Sequence, residues 1–336
     1  MNDTRQFDVF GMGNPLVDIL VHVEEEFLIA NKLSKGIMHL IDAERRRRLL
    51  ELVKDRIVQL EAGGSCPNTM EALGMLGIKT VLTGKIGEDE YGLAFEELIQ
   101  KRNVTSFLRK ETVPTGTSII LITPDKERTM NTYLGACREF KKEDLPRQII
   151  ENSRFFYFTG YMWDTENQKA AVTEAVSIAK KKSVRIIFDA ADPFAVKRYR
   201  EDFLQLIKND ADVVLANAQE SELLTGESIT KAARILGEHV EIAVVKNGAK
   251  HTHIYSGGKH ITVSSFKADV MDTTGAGDNF SAGFIYGLIK NYPLSICGKI
   301  ASFVASKTIE KIGAQVPDDI KEHVEIMLEK ILSSSI

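Results

Sequence analysis

Six short runs, Phe7–Gly11, Thr80–Ile86, Arg154–Gly160, Val184–Asp189, Asp212–Asn217 and Glu241–Lys246, are nearly continuous in apolar, β-branched and aromatic residues. A strand is apolar on both faces only when both faces are covered, so each run fits a parallel-sheet strand buried under helices. Helical periodicity follows in Asn68–Leu76, Tyr91–Arg102, Glu166–Lys182, Asp202–Lys208 and Ala276–Lys290. This alternation predicts an α/β fold with a central, mostly parallel sheet flanked by helices. Ligands of such sheets sit at the carboxyl ends of strands. Tyr161 (after Gly160), Asp189, Asn217 and Lys246 occupy those ends.

Two segments break the rhythm. Ile19–Asp42 and Val113–Tyr133 read as strands without crossover helices, and Thr117–Thr123, a Pro124-Asp125 turn and Arg128–Tyr133 read as a hairpin. They predict a small β lid, inserted at about 15–42 and 113–135 into a single domain spanning 1–336. A second hairpin is expected at His251–Val263, turning through Ser256-Gly257-Gly258-Lys259.

Composition removes several classes. The chain has 336 residues, 43 basic against 47 acidic, and a net charge of −4, which is no platform for nucleic acid. With 43% hydrophobic and 27% charged residues it can bury a core. No apolar run approaches the roughly 20 residues of a membrane span, and Met1–Gln6 lacks the apolar stretch of a leader, so the expectation is a cytoplasmic protein without a membrane partner. Cys66, Cys137 and Cys297 form no CxxC pair, which indicates reduced thiols rather than disulfides or structural zinc.

Other features read as ordinary structure. Arg45–Arg48 opens a helix with a stripe of Leu49, Leu52, Val53, Ile57 and Leu60, so the arginines are expected on its solvated face. His251, His253 and His260 have no cysteine or carboxylate to complete a metal site. Gly11-x-Gly13 fails as a dinucleotide fingerprint because Leu16 stands at the third glycine position, and no Walker A string is present.

The most informative stretch is Asp272-Thr273-Thr274-Gly275-Ala276-Gly277-Asp278, followed by a helix rich in small residues, Asn279–Gly287. Its glycines let backbone N–H groups converge, and the helix start adds its positive dipole end, which makes an anion hole. A carboxylate there repels phosphate, so it is out of place in a loop that only holds phosphate and points to a chemical task. Asp278 fits a base that accepts the proton of an attacking hydroxyl while Gly275, Ala276 and Gly277 neutralise charge on the transferred group.

This string resembles the C-terminal signature of the ribokinase-like (PfkB) family of carbohydrate and nucleoside kinases, and the resemblance spans nearly the whole chain. Gly63-Gly64-Ser65-Cys66-Pro67-Asn68 matches the family's sugar-binding glycine pair, and Asn217-Ala218-Gln219-Glu220 its N-x-x-E motif. Gly11–Ile19, Arg128–Ala136 and Tyr161–Asp164 look like the adenosine kinase branch, in its bacterial form. The resemblance implies transfer of the γ-phosphoryl of ATP to the 5′-hydroxyl of a nucleoside, adenosine foremost. A ribokinase- or fructokinase-type sugar kinase, or a nucleoside sensor without activity, are the alternatives.

It also implies roles for residues. Asp18 would accept hydrogen bonds from two vicinal ribose hydroxyls. Gly63, Gly64, Asn68 and Asn14 would line the sugar, and Leu16, Leu40, Leu134, Ala136 and Tyr161 would sandwich a purine. Asn217, Lys246, Gly248, Thr274, Gly275 and Gly277 would hold ATP. Glu220 and Asn217 would hold Mg²⁺, mainly through water, and they also read as a capping box. Arg128, on the hairpin, would reach the transferred phosphoryl when the lid closes. A monovalent cation beside Mg²⁺, and the choice between monomer and homodimer, stay open.

Overall fold

Among the described residues fourteen strands carry the fold: β1 (Phe7–Met12), β2 (Leu16–His22), β3 (Met38–Leu40), β4 (Ile57–Gly63), β5 (Thr80–Gly87), β6 (Val104–Glu111), β7 (Gly116–Ile122), β8 (Arg128–Tyr133), β9 (Ser153–Thr159), β10 (Arg185–Asp189), β11 (Val213–Asn217), β12 (Ile242–Lys246), β13 (Thr252–Ser256) and β14 (Lys259–Val263). The computed structural model describes residues 5–333, so the segment 1–4 read for a leader lies outside the described residues. Nine strands form one sheet in the order β14-β13-β12-β11-β10-β9-β1-β5-β6. It is parallel from β12 to β6, and the antiparallel β13–β14 hairpin closes one edge.

Both faces of this sheet are covered, as continuous apolar runs require. Val9, Tyr157, Ile187, Leu215 and Val244 pack on one side with the helices Ser65–Met75, Ala276–Ile289 and Leu294–Thr308. Phe10, Phe156, Phe158, Phe188, Val214 and Val245 face the other, against Glu166–Lys181 and Pro193–Asn209. Period-2 alternation therefore assigns every second residue to a different core. Among the described residues no helix is long and apolar enough to cross a membrane.

The remaining strands form a second sheet, β3-β8-β7-β2-β4. The hairpin β7–β8 is antiparallel, with Thr117 opposite Tyr133. Val17, Ile19, Ile119 and Leu121 join the main core, while Leu20, Ile120 and Ile122 cluster separately with Met130.

Three local expectations change. The arginine-rich helix stops at Val53, and Ile57 and Leu60 lie on β4, paired antiparallel with β2; β-branched Ile57-Val58 suits a strand once a partner edge is available. The stretch between Ile19 and Asp42 includes a short helix, Glu25–Ala30. Arg46 is buried, its Nε donating to Thr117 Oγ1 at 2.9 Å and its guanidinium lying over the rings of Tyr91 and Tyr133. The flat cation is hydrated weakly enough to bury against aromatic faces, which overrides the solvated-face expectation.

Candidate active site

Gly275 adopts φ +73°, and a Cβ there would lie 2.7 Å from Ala314 O, so neither backbone nor space admits a side chain. The helix Ala276–Ile289 starts at the next residue with no side chain capping it. Its first amides are the ones a helix leaves without intrahelical partners. At Gly277 a Cβ would meet only Lys246 Nζ, at 3.8 Å.

Asp278 sits in the first turn of this helix and is held from across the cleft. Ser65 Oγ donates to its Oδ1 at 2.6 Å and Asn68 Nδ2 to its Oδ2 at 2.8 Å, both from the first turn of the helix Ser65–Met75. Thr69 Oγ1 adds a bond to the Asp278 carbonyl at 3.1 Å. Burial pushes the Asp278 carboxyl up to about 6, against the lowering effect of the Ser65 and Asn68 bonds.

Asp272, at the start of the string, ties three segments together. Its Oδ1 accepts from Thr274 N at 2.9 Å and Thr274 Oγ1 at 2.7 Å, its Oδ2 from Gly313 N at 2.9 Å, and Arg128 Nη1 pairs with it from β8. Arg128 is thus drawn onto the loop and mostly buried, with Nε lacking a partner.

Beside the loop lies a cavity of about 880 Å³, at the carboxyl ends of β10, β11 and β12. Asp189, Asn217, Glu220, Lys246, Gly248, Gly277 and Asp278 are its polar wall, and Phe266, Ala305 and Ile309 are among its apolar residues. Asn217 and Lys246 are register partners on adjacent strands. Lys246 Nζ lies 3.0 Å from Asp189 Oδ2, which also accepts from Ser281 Oγ at 2.6 Å. Burial opposes the Lys246 charge, but Asp189 and Glu220 beside it hold the ammonium above its ordinary range.

Asn217 and Glu220 form a capping box: Asn217 N donates to Glu220 Oε2 at 2.7 Å and Glu220 N to Asn217 Oδ1 at 2.9 Å. Burial raises the Glu220 carboxyl to about 7. Among the described residues no group of three or more His, Cys, Asp or Glu side chains could hold a metal ion. The buried Glu220 carboxylate in the cavity wall instead fits Mg²⁺, which keeps several waters and binds largely through substrate phosphates. On β13 and β14, His253 Nδ1 and His260 Nε2 lie 3.0 Å apart.

Asp18 on β2 lies opposite Glu61 on β4. Burial first, then Glu61, raises the Asp18 carboxyl to about 7. Gly63 gives Asp18 room, since a Cβ there would stand 2.6 Å from its carboxylate, and Gly64, at φ +103°, passes so close to the Asn14 carbonyl that a Cβ would overlap it. The Asn14 amide is engaged by Gln168 Nε2 at 2.8 Å and donates to Tyr161 O at 3.4 Å. Leu16 and Leu134 are half-buried, Tyr161 is 41% exposed, and Leu40, at the edge strand β3, is 66% exposed. Ser65, Asp272 and Ser281 are site residues to which the sequence assigns no role, and Asp189 is one it places only at the ligand-facing end of a strand. Ser65 and Asp272 stand inside conspicuous strings, whereas Asp189 and Ser281 are 92 residues apart and no spacing links them.

Such a cleft, on such a sheet, defines a ribokinase-like phosphotransferase with an alcohol group as acceptor. Sequence comparison agrees: the model of the pfkB family of carbohydrate kinases matches residues 32–321, and the chain belongs to that family. It is 31% identical over 250 residues to an uncharacterized sugar kinase of Archaeoglobus fulgidus, covering 72% of this chain and 96% of the relative. Among solved structures it resembles a probable sugar kinase from Rhizobium etli (TM-score 0.86, 34% identity) and the adenosine kinase from Sinorhizobium meliloti (TM-score 0.84, 33% identity), each covering 96% of this chain and 99% of the other. The protein is therefore a carbohydrate or nucleoside kinase acting on small molecules.

Proposed function

We propose that the protein transfers the γ-phosphoryl of ATP to the 5′-hydroxyl of a nucleoside, adenosine foremost, giving AMP and ADP. The observation that carries this reading is the placement of Asp278: it lines the large cavity and is gripped by Ser65 and Asn68 of the glycine-pair motif, so one carboxylate faces both halves of the cleft. ATP occupies the cavity with its phosphates toward Gly275, Ala276, Gly277 and Lys246, near Thr274, Asn217 and Gly248. The acceptor sits over Asp18, Gly63, Gly64, Asn68 and Asn14, with Leu16, Leu134 and Tyr161 toward its base. Leu40 reaches that base only when the second sheet, acting as a lid through its segments 15–42 and 113–135, moves inward.

Asp278 orients the acceptor hydroxyl and takes its proton. The transition state of phosphoryl transfer is loose, so positioning and charge stabilisation outweigh base strength. The loop amides and Arg128 stabilise the phosphoryl oxygens. Glu220 and Asn217 would hold Mg²⁺, mainly through water, and the ion would supply neutralising charge to the donor phosphates. A closed lid excludes water.

A sugar kinase is the second reading, favoured by the exposure of Leu40 and Tyr161 and by the sugar-kinase names among the relatives. ATP consumption measured over nucleosides and free sugars at matched concentrations separates the two. Adenosine is expected to give the highest rate; faster turnover of ribose or fructose overturns the nucleoside assignment.

A further inference from the structure

The shortest hydrogen bond to Asp278 comes from a hydroxyl of the protein itself. Ser65 Oγ donates to Oδ1 at 2.6 Å, which is the kind of bond an acceptor alcohol makes to its base. Ser65 is the first residue of its helix, the N-cap is Gly64, and no side chain caps the first turn, so the Ser65 hydroxyl serves Asp278 and not its own helix. It is only half-buried and so reaches the cleft.

We propose that Ser65 is a positioning residue that couples phosphoryl transfer to the acceptor: its hydroxyl holds Oδ1 of Asp278 in place and occupies the spot beside it that a water would otherwise take. This rests on Asp278 being the base. A water bonded to Oδ1 could give its proton to Asp278 and attack the γ-phosphorus; the bond from phosphorus to the bridging oxygen would break, releasing ADP and inorganic phosphate. With Ser65 in that spot, only a ligand that binds tightly enough to compete for Oδ1 is activated. Lys246, Asp189, Cys66, Tyr157 and Tyr161 also face the Asp278 charge.

The test compares Ser65→Ala and Ser65→Thr with the parent enzyme, measuring ADP formed with and without acceptor, and product formed. In S65A the acceptor-independent ADP release should rise about fivefold or more relative to product. The acid limb of its kcat profile should also move to higher pH, because a bond that favours the ionised carboxylate is gone. S65T, which keeps the hydroxyl, should restore both. An unchanged ratio and an unchanged acid limb in S65A overturn the proposal. If the parent enzyme phosphorylates no alcohol at all, the failure belongs to the assigned function instead.

Discussion

Arg128, on β8 of the second sheet, pairs with Asp272, the residue that opens the glycine string of the main domain. The bond runs from the second sheet to the glycine loop and ends on a carboxylate that also fastens Thr274 and Gly313. Burial pushes Asp272 upward, but the bonds from Thr274 and Gly313 and the Arg128 charge together hold its carboxyl below the usual range. The phosphate loop and the second sheet are therefore mechanically linked.

Arg128→Ala should lower kcat about 10²- to 10³-fold, the effect of losing one preorganised donor at a charged transition state. Arg128→Lys should recover little of it, since Nη1 alone serves Asp272 and Thr274 and leaves the rest of the guanidinium, Nε included, for a phosphoryl oxygen, whereas an ammonium has one nitrogen to divide among them. Steady-state kinetics of both variants decide this, and full activity in the lysine variant would contradict it.

Asp278→Asn keeps the shape of the side chain and removes its capacity to take a proton. Turnover should fall by about 10²- to 10⁴-fold, while nucleoside affinity, measured calorimetrically, stays nearly intact. Turnover equal to that of the parent enzyme would remove Asp278 from the base role.

Asp189 is buried and Lys246 nearly so, its side chain 12% exposed, and breaking such a pair leaves an uncompensated charge. Lys246→Met alone should cost about 3–5 kcal/mol of stability. Adding Asp189→Asn should restore most of that in denaturant melts, yet turnover should remain low, because the cavity has lost its phosphate-facing cation. Recovery of activity along with stability in the double variant would make the lysine purely structural.

Glu71 is buried in the helix Ser65–Met75, neither carboxylate oxygen has a hydrogen-bond partner, and Arg102 Nε is 3.8 Å away. Burial raises its carboxyl to about 8. Because the folded value exceeds the unfolded one, folding binds a proton between them, so this contribution is complete below the ordinary carboxylate range and is lost as pH rises to about 8. Glu71→Gln should therefore be more stable than the parent above that pH, by on the order of a few kcal/mol, with the gap closing toward about pH 4. Melting temperatures of the two proteins across that range are the check, and a gap that widens toward acid would reverse the sign.

The α/β class, the parallel strands and the helix that follows the glycine string were legible in the chain because they rest on local periodicity and on stereochemistry that glycine alone satisfies. The string around Asp278 and the pair Gly63-Gly64 could be read for the same reason. What Asp278 touches could not: Ser65 and Asn68 are more than 200 residues away, and only the packing of two helix N-termini brings them together. The same holds for the Asp189–Ser281 bond, for Arg128 on Asp272, and for the stretch at Ile57–Gly63, which becomes a strand because β2 offers it an edge. Arg46 shows the point in reverse, since its helix pattern places it in solvent and two distant tyrosine rings and Thr117 enclose it. Periodicity records which face of an element is buried; the partner a polar group meets there depends on contacts between residues far apart in the chain, and those are settled only when the sheets and helices pack.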